Sequence, residues 1–277
     1  MHILQQIEAL RRIFLKQEAK IKSKLLKAIE KGNDTAYLKK LLAGIQDDIK
    51  DLDRFYKAFC FKNIPSIFSN FARKTDAAIN LFINKFNLKN KLGLKKTYIV
   101  TPVDILADNT YRSLNSITTV IGRRSEDLIR EIGLKQTQGI VFGSKSWQEA
   151  AALMTKELES KGFFHIDYKL KNGKIRQVPA RVYSEMVART TAMEAANSAV
   201  IQRMQERGFD LVDVAGKSSY PNSPCIPYQG TTLSISGQTS GFISLSEAKA
   251  NGLFHPNCIH SLVFSNKNIA QESNQNS

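Results

Sequence analysis

Apolar side chains recur at helical spacing through the first third of the chain. The first stripe consists of Ile3, Ile7, Leu10, Phe14, Ile21, Leu25 and Ala28. After a break at Gly32-Asn33, where Asp34 is a suitable N-cap, the second stripe consists of Leu38, Leu41, Leu42, Ile45, Ile49, Leu52, Phe55 and Phe59. Steps of three and four residues place each stripe on one face of a helix. The pattern predicts an antiparallel helical hairpin whose apolar face packs against a third helix or a partner protein.

Further helical patterns follow the hairpin. A third helix is predicted over residues 66–86, and shorter helices are predicted over 104–121, 125–132 and 146–160. Ser125 is a suitable first residue for the middle one of these, because a serine and the acidic residues after it favour a helix N-terminus.

The second half of the chain changes from helical to mixed periodicity. A β-hairpin is predicted over 163–178, because Asn172-Gly173 separates two runs in which apolar and polar residues alternate. A long helix over 180–207, ended by Gly208, leads into a predicted strand over 210–214. This segment therefore combines helices and strands in one small module.

Together these elements predict an α+β fold, in which a helical N-terminal region precedes a small mixed α+β C-terminal module. The predicted regions are a basic helical region at 1–96, a helical middle region at 97–162, the α+β module at 163–264 and a disordered polar tail at 265–277. A hydrophobic content of 42% is sufficient for a packed core and excludes a wholly disordered chain.

The composition also indicates in which cellular compartment the protein is expected. No apolar run approaches the roughly 20 residues that a membrane span needs, so no membrane association is expected. Glu8, Arg11 and Arg12 interrupt the N-terminal segment where a signal peptide would be continuously apolar, so export is not expected. Three cysteines are a low and odd number, which argues against a disulfide framework. A low cysteine count without disulfides is typical of proteins in a reducing cytosol.

The net charge of +15 is concentrated in the first 100 residues, which hold 21 Lys and Arg against 9 Asp and Glu. Double-stranded DNA is a candidate partner, because lysine and arginine bind phosphates without reading sequence. The basic segment 87–96 looks like a linker, and its candidate DNA contacts are Lys89, Lys91, Lys95 and Lys96. The alternative is a solvated helical surface that is merely rich in lysine.

Two cysteines and two histidines gather in one C-terminal segment. Cys225, His255, Cys258 and His260 are ligand types that zinc prefers, so a zinc site is one hypothesis. There is no C-x-x-C pair, and an extended backbone would turn Cys258 and His260 to opposite faces. The alternatives are that the cysteines are small buried hydrophobes with the histidines bonded to backbone, or that Cys225 and Cys258 form a disulfide, which a cytosol disfavours.

A catalytic role for the same segment is an alternative hypothesis. His255 beside Pro-Asn loosely resembles metal-dependent nucleases, in which a histidine activates water next to a divalent ion. Such a site would use His255 and His260 and needs a further ligand, for which Asp213 and Glu247 are candidates. A Cys–His nucleophile pair would need a third, orienting group that the sequence does not single out.

Four signatures in order resemble a known family. They read K-N-G-K-I-R-Q-V-P, then Y-S-E-M-V-A-R-T-T, then G-F-D-L-V-D-V, then Y-Q-G-T-T-L-S-I-S-G with a closing N-C-I-H-S-L. Over residues 163–264 this resembles the phage minor capsid protein 2 family. More loosely it is similar to the phage Mu F-like head morphogenesis proteins, which also end in an H-P-x-C pattern. The N-terminal helices match only in kind.

The resemblance implies a non-enzymatic virion protein of a tailed phage, prophage or gene-transfer particle. Such proteins are made in the host cytoplasm, associate with portal or inner capsid, and act in head assembly or in DNA packaging and delivery. The family pattern carries over at Arg189, Thr190, Asp210, Gln229, Gly230, Ser236, Gly237, Asn257, Cys258 and His260. It departs at Ser219 and Cys225, where many relatives have histidines. A host DNA-binding protein is a third possibility.

Two structural roles follow from the residue types in this pattern. Gln229-Gly230 after Pro227-Tyr228 suits a tight turn in which the glycine takes a positive φ. Arg189, in the middle of the long helix, is a candidate to form an ion pair with Asp210 or Asp213.

Overall fold

A computed structural model describes residues 3–30, 35–88, 102–142, 155–156, 164–169, 173–218 and 220–268. The fold is α+β, as the sequence predicts. The helices named below are α1 (Ile3–Glu30), α2 (Thr35–Ala58), α3 (Ile64–Phe86), α4 (Val103–Phe142), α5 (Ala180–Glu206) and α6 (Leu245–Ala250). The strands are β1 (His165–Lys169), β2 (Ile175–Pro179), β3 (Leu211–Ala215), β4 (Thr232–Ser234), β5 (Ile243–Ser244) and β6 (Ser261–Phe264).

The chain divides into two compact units that alternate along the sequence. The first comprises Met1–Leu4, Cys60–Thr110 and Met186–Ser277, and the second comprises Gln5–Phe59 and Tyr111–Glu185. This division differs from the predicted regions at 1–96, 97–162 and 163–264, which stay predictions. The difference arises because the sequence pattern reports only neighbours along the chain, whereas a compact unit gathers segments that are distant in sequence.

The apolar stripes of the N-terminal helices are largely confirmed. Every predicted position of the α1 stripe is buried, as are Leu38, Ile45 and Leu52 on α2. Leu41, Leu42 and Ile49 are only half-buried. Phe55 is 42% exposed, whereas Tyr56 is fully buried and its hydroxyl lies 3.2 Å from Ser184 Oγ. Tyr56 continues the four-residue spacing from Leu52, which places it on the buried face instead of its neighbour.

The predicted break near Ser125 is wrong. Helix α4 runs without interruption through this position, and Ser125 Oγ donates a hydrogen bond to the Ile121 carbonyl at 2.8 Å. The hydroxyl therefore bonds backward within the helix rather than capping a new one. An isolated glycine at position 122 costs a helix only about 1 kcal/mol, which continued packing of the apolar face offsets.

The predicted β-hairpin is confirmed. Strands β1 and β2 pair antiparallel, with His165 opposite Pro179 and Lys169 opposite Ile175. Gly173 has a φ of +81°, the left-handed conformation that an Asn-Gly turn requires. Lys171 and Asn172 lie outside the described residues, as do the predicted helix at 146–160, apart from residues 155–156, and the linker lysines at 89–96.

The C-terminal sheet is a four-stranded mixed sheet in the order β5-β4-β3-β6. Strand β3 pairs antiparallel with β4 and β6, while β4 and β5 are parallel. Its core includes Val200, Ile201 and Met204 from α5 as well as Ile79 and Phe82 from α3. A helix that the sequence assigned to the N-terminal region thus supplies part of the core under the C-terminal sheet.

The predicted disordered tail begins too early. Ser265 and Asn268 are buried, and a 3₁₀ turn spans Asn266–Asn268. Asn268 Oδ1 accepts from the Leu211 N–H at 2.9 Å, and Asn268 Nδ2 donates to the Leu211 carbonyl at 2.8 Å. The side chain therefore bonds both backbone groups at the start of β3, which composition alone does not reveal. Residues 269–277 lie outside the described part of the chain.

Cys60 is a core thiol. It lies in a π-helical turn, Phe59–Asn63, and is fully buried. Burial raises the pKa of this thiol to about 12, because a thiolate would lose its hydration there. The nucleophilic thiolate is therefore almost absent at neutral pH.

Candidate metal centre

Cys225 lies in the connection between β3 and β4, and two turns follow it in the chain. A short 3₁₀ turn spans Ile226–Tyr228, and the Tyr228 N–H donates to the Cys225 carbonyl at 3.2 Å. Gln229 and Gly230 then form the predicted tight turn, with Gly230 at a φ of +68°. Gln229 Oε1 accepts a hydrogen bond from the Ser218 N–H at 2.8 Å. This side chain therefore links the two ends of the connection between β3 and β4.

His255, Cys258 and His260 lie in the connection between α6 and β6. This stretch is irregular: Asn257 has a φ of +67°, and the Cys258 N–H donates to the His255 carbonyl at 2.9 Å. The expectation that Cys258 and His260 face opposite ways rests on an extended strand, and it does not hold. Strand β6 begins only at Ser261, and Cys258 Sγ lies 3.3 Å from His260 Nδ1.

The fold brings all four predicted ligands together. One ligand atom from each of Cys225, Cys258 and His260 lies within 4.8 Å of the others, and all three residues are buried. His255 Nε2 lies 3.2 Å from Cys225 Sγ. All three cysteines are free thiols, so Cys225 and Cys258 are not joined as a disulfide.

Ser223 is a member of the cluster that sequence reasoning missed. Its hydroxyl lies 2.8 Å from His255 Nε2 and 3.1 Å from Cys225 Sγ, so it contacts both sides of the cluster. A serine two residues before a cysteine carries no distinctive signal, because serine is common in polar loops. Only the tertiary structure shows that it is placed against two candidate ligands.

Two glycines allow the cluster to close. A Cβ at Gly216, which has a φ of +109°, would lie 3.5 Å from His260 Cα and 3.3 Å from the Ile259 carbonyl oxygen. A Cβ at Gly252 would lie 2.6 Å from Pro224 Cβ, which is closer than real Cβ contacts. Gly216 therefore lets the end of β3 lie against the backbone at His260, and Gly252 lets the end of α6 lie against Pro224, next to Cys225.

Burial governs the electrostatics of the cluster. It raises the pKa of the Cys258 thiol, and the neighbouring Cys225 adds to the rise. Burial lowers the pKa of His260, with a further contribution from His255, so this imidazole is neutral at pH 7. His260 is fully buried, and its Nε2 has no hydrogen-bond partner among the described residues.

The donor set is sulfur and nitrogen, without carboxylate. Asp213, a candidate ligand for a nuclease, accepts a hydrogen bond from Thr232 Oγ1 at 2.6 Å, and Glu247 lies in the first turn of α6. Neither joins the group of metal-capable side chains found in the described residues. Thiolate and imidazole ligands suit zinc, whereas oxygen ligands suit magnesium and calcium.

Asp210 organises the loop after β4. Its buried carboxylate accepts hydrogen bonds from Ser234 Oγ, from the Ser236 N–H and from Thr239 Oγ1. Gly237, at a φ of +73°, completes this loop by donating its N–H to Ser234 Oγ at 2.8 Å. The motif residues in this loop therefore hold backbone.

The predicted ion pair between Arg189 and Asp210 or Asp213 is wrong. Arg189 Nη1 instead donates to Asn257 Oδ1 at 3.3 Å, because the neighbouring loop already encloses the Asp210 carboxylate. The Asn257 N–H donates to Thr190 Oγ1 at 3.2 Å. Arg189 and Thr190 thus hold the left-handed residue that turns the chain between His255 and Cys258.

Comparison with known proteins identifies the family. The model of the family described as "Phage minor capsid protein 2" matches residues 62–276, a longer span than the 163–264 that the motifs indicated. No curated protein and no solved structure matches the chain. Among the described residues, no helix combines the length and apolarity needed to cross a membrane. Because the match covers most of the chain, this protein belongs to the phage minor capsid protein 2 family.

Proposed function

We propose that this protein acts at the portal or on the capsid interior, in head assembly and in DNA packaging or delivery. Membership of the family makes it a structural protein of a phage head and implies a place in the virion. The observation that carries the proposal is the extent of the family match, which begins near α3 and runs through the C-terminal sheet. The match therefore covers far more of the chain than the short motifs alone.

A non-enzymatic role is supported by what the motif residues do. Asp210, Gly237, Arg189 and Asn257 fix loops and turns of the backbone, and Gln229 braces one connection. Four buried or half-buried side chains without a carboxylate suit a closed structural metal better than a hydrolytic one. No observation favours the alternative of a metal-dependent nuclease.

Direct contact with double-stranded DNA is the second part of the proposal. In the helices α1 and α2, four exposed lysines form no ion pair with another described residue: Lys16, Lys27, Lys39 and Lys40. Other cations there are already neutralised, such as Lys24, whose Nζ lies 2.6 Å from Asp48 Oδ2. Exposed lysines without an ion-pair partner in the described structure, such as these four, are the side chains that bind DNA phosphates and release counterions.

Replacing these four lysines with glutamine is expected to weaken DNA binding and to flatten its salt dependence. The slope of log affinity against log salt should fall by about 0.9 for each phosphate that is no longer neutralised. Fluorescence anisotropy with a short duplex at several salt concentrations measures both quantities. The linker set Lys89, Lys91, Lys95 and Lys96 is tested by the same replacement.

The matched control replaces four lysines of the first unit, Lys74, Lys217, Lys249 and Lys267, which changes the net charge equally. This control should bind DNA nearly as well as the unmodified chain if α1 and α2 carry the DNA face. Equal weakening in both variants would contradict the proposal that α1 and α2 form the DNA-binding face. It would mean that DNA binding depends only on the total positive charge of the chain.

Location in the particle tests the proposal as a whole. Particles from the source cell are purified, treated with nuclease and protease, and analysed by quantitative mass spectrometry. We expect this chain to be protected and present at a copy number close to that of the portal protein. A protein exposed on the capsid surface, which the protease removes, provides the internal control. Absence of the chain from particles, with free protein in the cytosol, would overturn the head role.

A further inference from the structure

The four side chains Cys225, His255, Cys258 and His260 form a preassembled ligand set. Two of the distances between them are 3.2 Å, from His255 Nε2 to Cys225 Sγ, and 3.3 Å, from Cys258 Sγ to His260 Nδ1. Ligands at zinc bond lengths of about 2.0–2.3 Å in a tetrahedron lie about 3.5–4 Å apart. The ligand atoms of Cys225, Cys258 and His260 all lie within 4.8 Å of one another, so side-chain shifts of about 1 Å would bring the cluster to the size of a zinc coordination shell.

The tautomer of His255 is set for coordination. Its Nδ1 lies 2.8 Å from the Pro256 carbonyl oxygen, and a carbonyl only accepts, so Nδ1 carries the proton. The lone pair is then on Nε2, the atom that faces Cys225 Sγ. A metal-bound histidine typically donates its other N–H to a carbonyl in this way.

His260 supplies an independent observation. It is fully buried, its Nδ1 has the Cys258 thiol as neighbour, and its Nε2 has no hydrogen-bond partner in the described structure. Nδ1 is the ring atom that lies beside the Cys258 sulfur, so it is the atom that could bind a metal, and Nε2 would then carry the proton.

We propose that Cys225, His255, Cys258 and His260 bind one Zn²⁺ in a closed tetrahedral site that stabilises the C-terminal module. The ion would join the connection between β3 and β4 to the connection between α6 and β6. Two thiolates and two imidazoles fill all four positions, which leaves none for a reacting water. Ser223, at hydrogen-bond distance from Cys225 Sγ, would donate to the bound thiolate and support it from outside the coordination shell.

A metal at this position would act on folding. Each of the two connections is irregular in backbone, and residues 225 and 255 are far apart in sequence, so the ion would close a loop that the unfolded chain leaves open. Since an unfolded chain does not present a preformed site, the free energy of metal binding adds to that of folding. The role is independent of where in the phage head the protein acts.

The first test is metal content of the full chain, purified without a histidine tag under reducing conditions and offered one equivalent of Zn²⁺. Inductively coupled plasma mass spectrometry is expected to find one zinc per chain after gel filtration. Cys258→Ala is expected to lose that zinc. Cys60→Ala is the matched control, because it removes a buried cysteine outside the cluster and should keep the metal.

A second measurement keeps the test valid if the ligand variants fail to fold. Co²⁺ bound to the unmodified chain is expected to show the visible bands of tetrahedral coordination and a thiolate charge-transfer band. Chelation of the zinc-loaded chain is expected to lower the melting temperature, with recovery on adding Zn²⁺ but not Mg²⁺. Absence of a thiolate–Co²⁺ band, indifference of the melting temperature to chelator, or a Cys225–Cys258 disulfide in the native chain would each overturn the proposal.

Discussion

Asp210→Ala is expected to destabilise the first compact unit by about 3–5 kcal/mol. The buried carboxylate accepts hydrogen bonds from Ser234 Oγ, the Ser236 N–H and Thr239 Oγ1. Removing it leaves these donors unsatisfied, and hydrogen bonds to a charged group contribute more than neutral ones. Because a folded domain is stable by only about 5–15 kcal/mol, this loss is a large fraction of the total.

Asp213→Ala is the matched control for Asp210→Ala. Asp213 lies three residues further along the chain, is half-buried, and accepts a side-chain hydrogen bond from Thr232 Oγ1. It is expected to cost about 1 kcal/mol. Urea unfolding followed by circular dichroism gives the free energy of unfolding of both variants. Equal losses would mean that the loop around Asp210 does not depend on its carboxylate.

Phe209→Ala is expected to cost about 3–5 kcal/mol, because it removes a buried aromatic ring and leaves a cavity. The Phe209 side chain is 2% exposed, and its ring centroid lies 5.3 Å from that of Phe264 and 5.9 Å from that of Phe82. Phe82 belongs to α3, Phe209 follows α5 and Phe264 ends β6. The substitution therefore loosens three segments at once.

Phe86→Ala is the comparison that isolates burial from ring chemistry. The Phe86 ring packs against Phe82 at a centroid distance of 4.9 Å, but its side chain is 36% exposed. Because the Phe86 ring is only partly buried, replacing it removes less buried apolar surface than Phe209→Ala does. The free energy of unfolding is therefore expected to fall by about 1 kcal/mol. Thermal unfolding of both variants measures the difference. A loss from Phe86→Ala as large as that from Phe209→Ala would show that the aromatic cluster is not centred on Phe209.

The sequence was most informative where periodicity is long or a turn has a specific chemistry. The stripe on α1 predicted buried positions throughout, because a 28-residue helix repeats its pattern many times. Asn172-Gly173 predicted the β-hairpin, and Gln229-Gly230 predicted the tight turn with positive φ. Each of these signals is local, since the residues that cause the structure are the residues that adopt it.

The sequence did not predict which hydrogen-bond partners several polar side chains have. Ser125 bonds backward within α4 instead of capping a helix, and Arg189 contacts Asn257 instead of Asp210. The polar residues after Phe264 suggested disorder, yet Asn268 bonds the backbone of Leu211. A polar side chain satisfies its hydrogen bonds with whatever the fold brings near, and sequence spacing does not report that.

The sequence alone determined the α+β class, the two apolar stripes, the family and the four residue types of the candidate metal site. Only the tertiary structure showed that α3 packs into the core of the C-terminal sheet. It also showed that the side chains of Cys258 and His260 contact each other. It also placed Ser223 against Cys225 and His255. The physical reason is that helical periodicity is encoded by neighbours in the chain. The approach of two loops depends instead on strand pairing and on glycines such as Gly216 and Gly252, which permit close backbone contact.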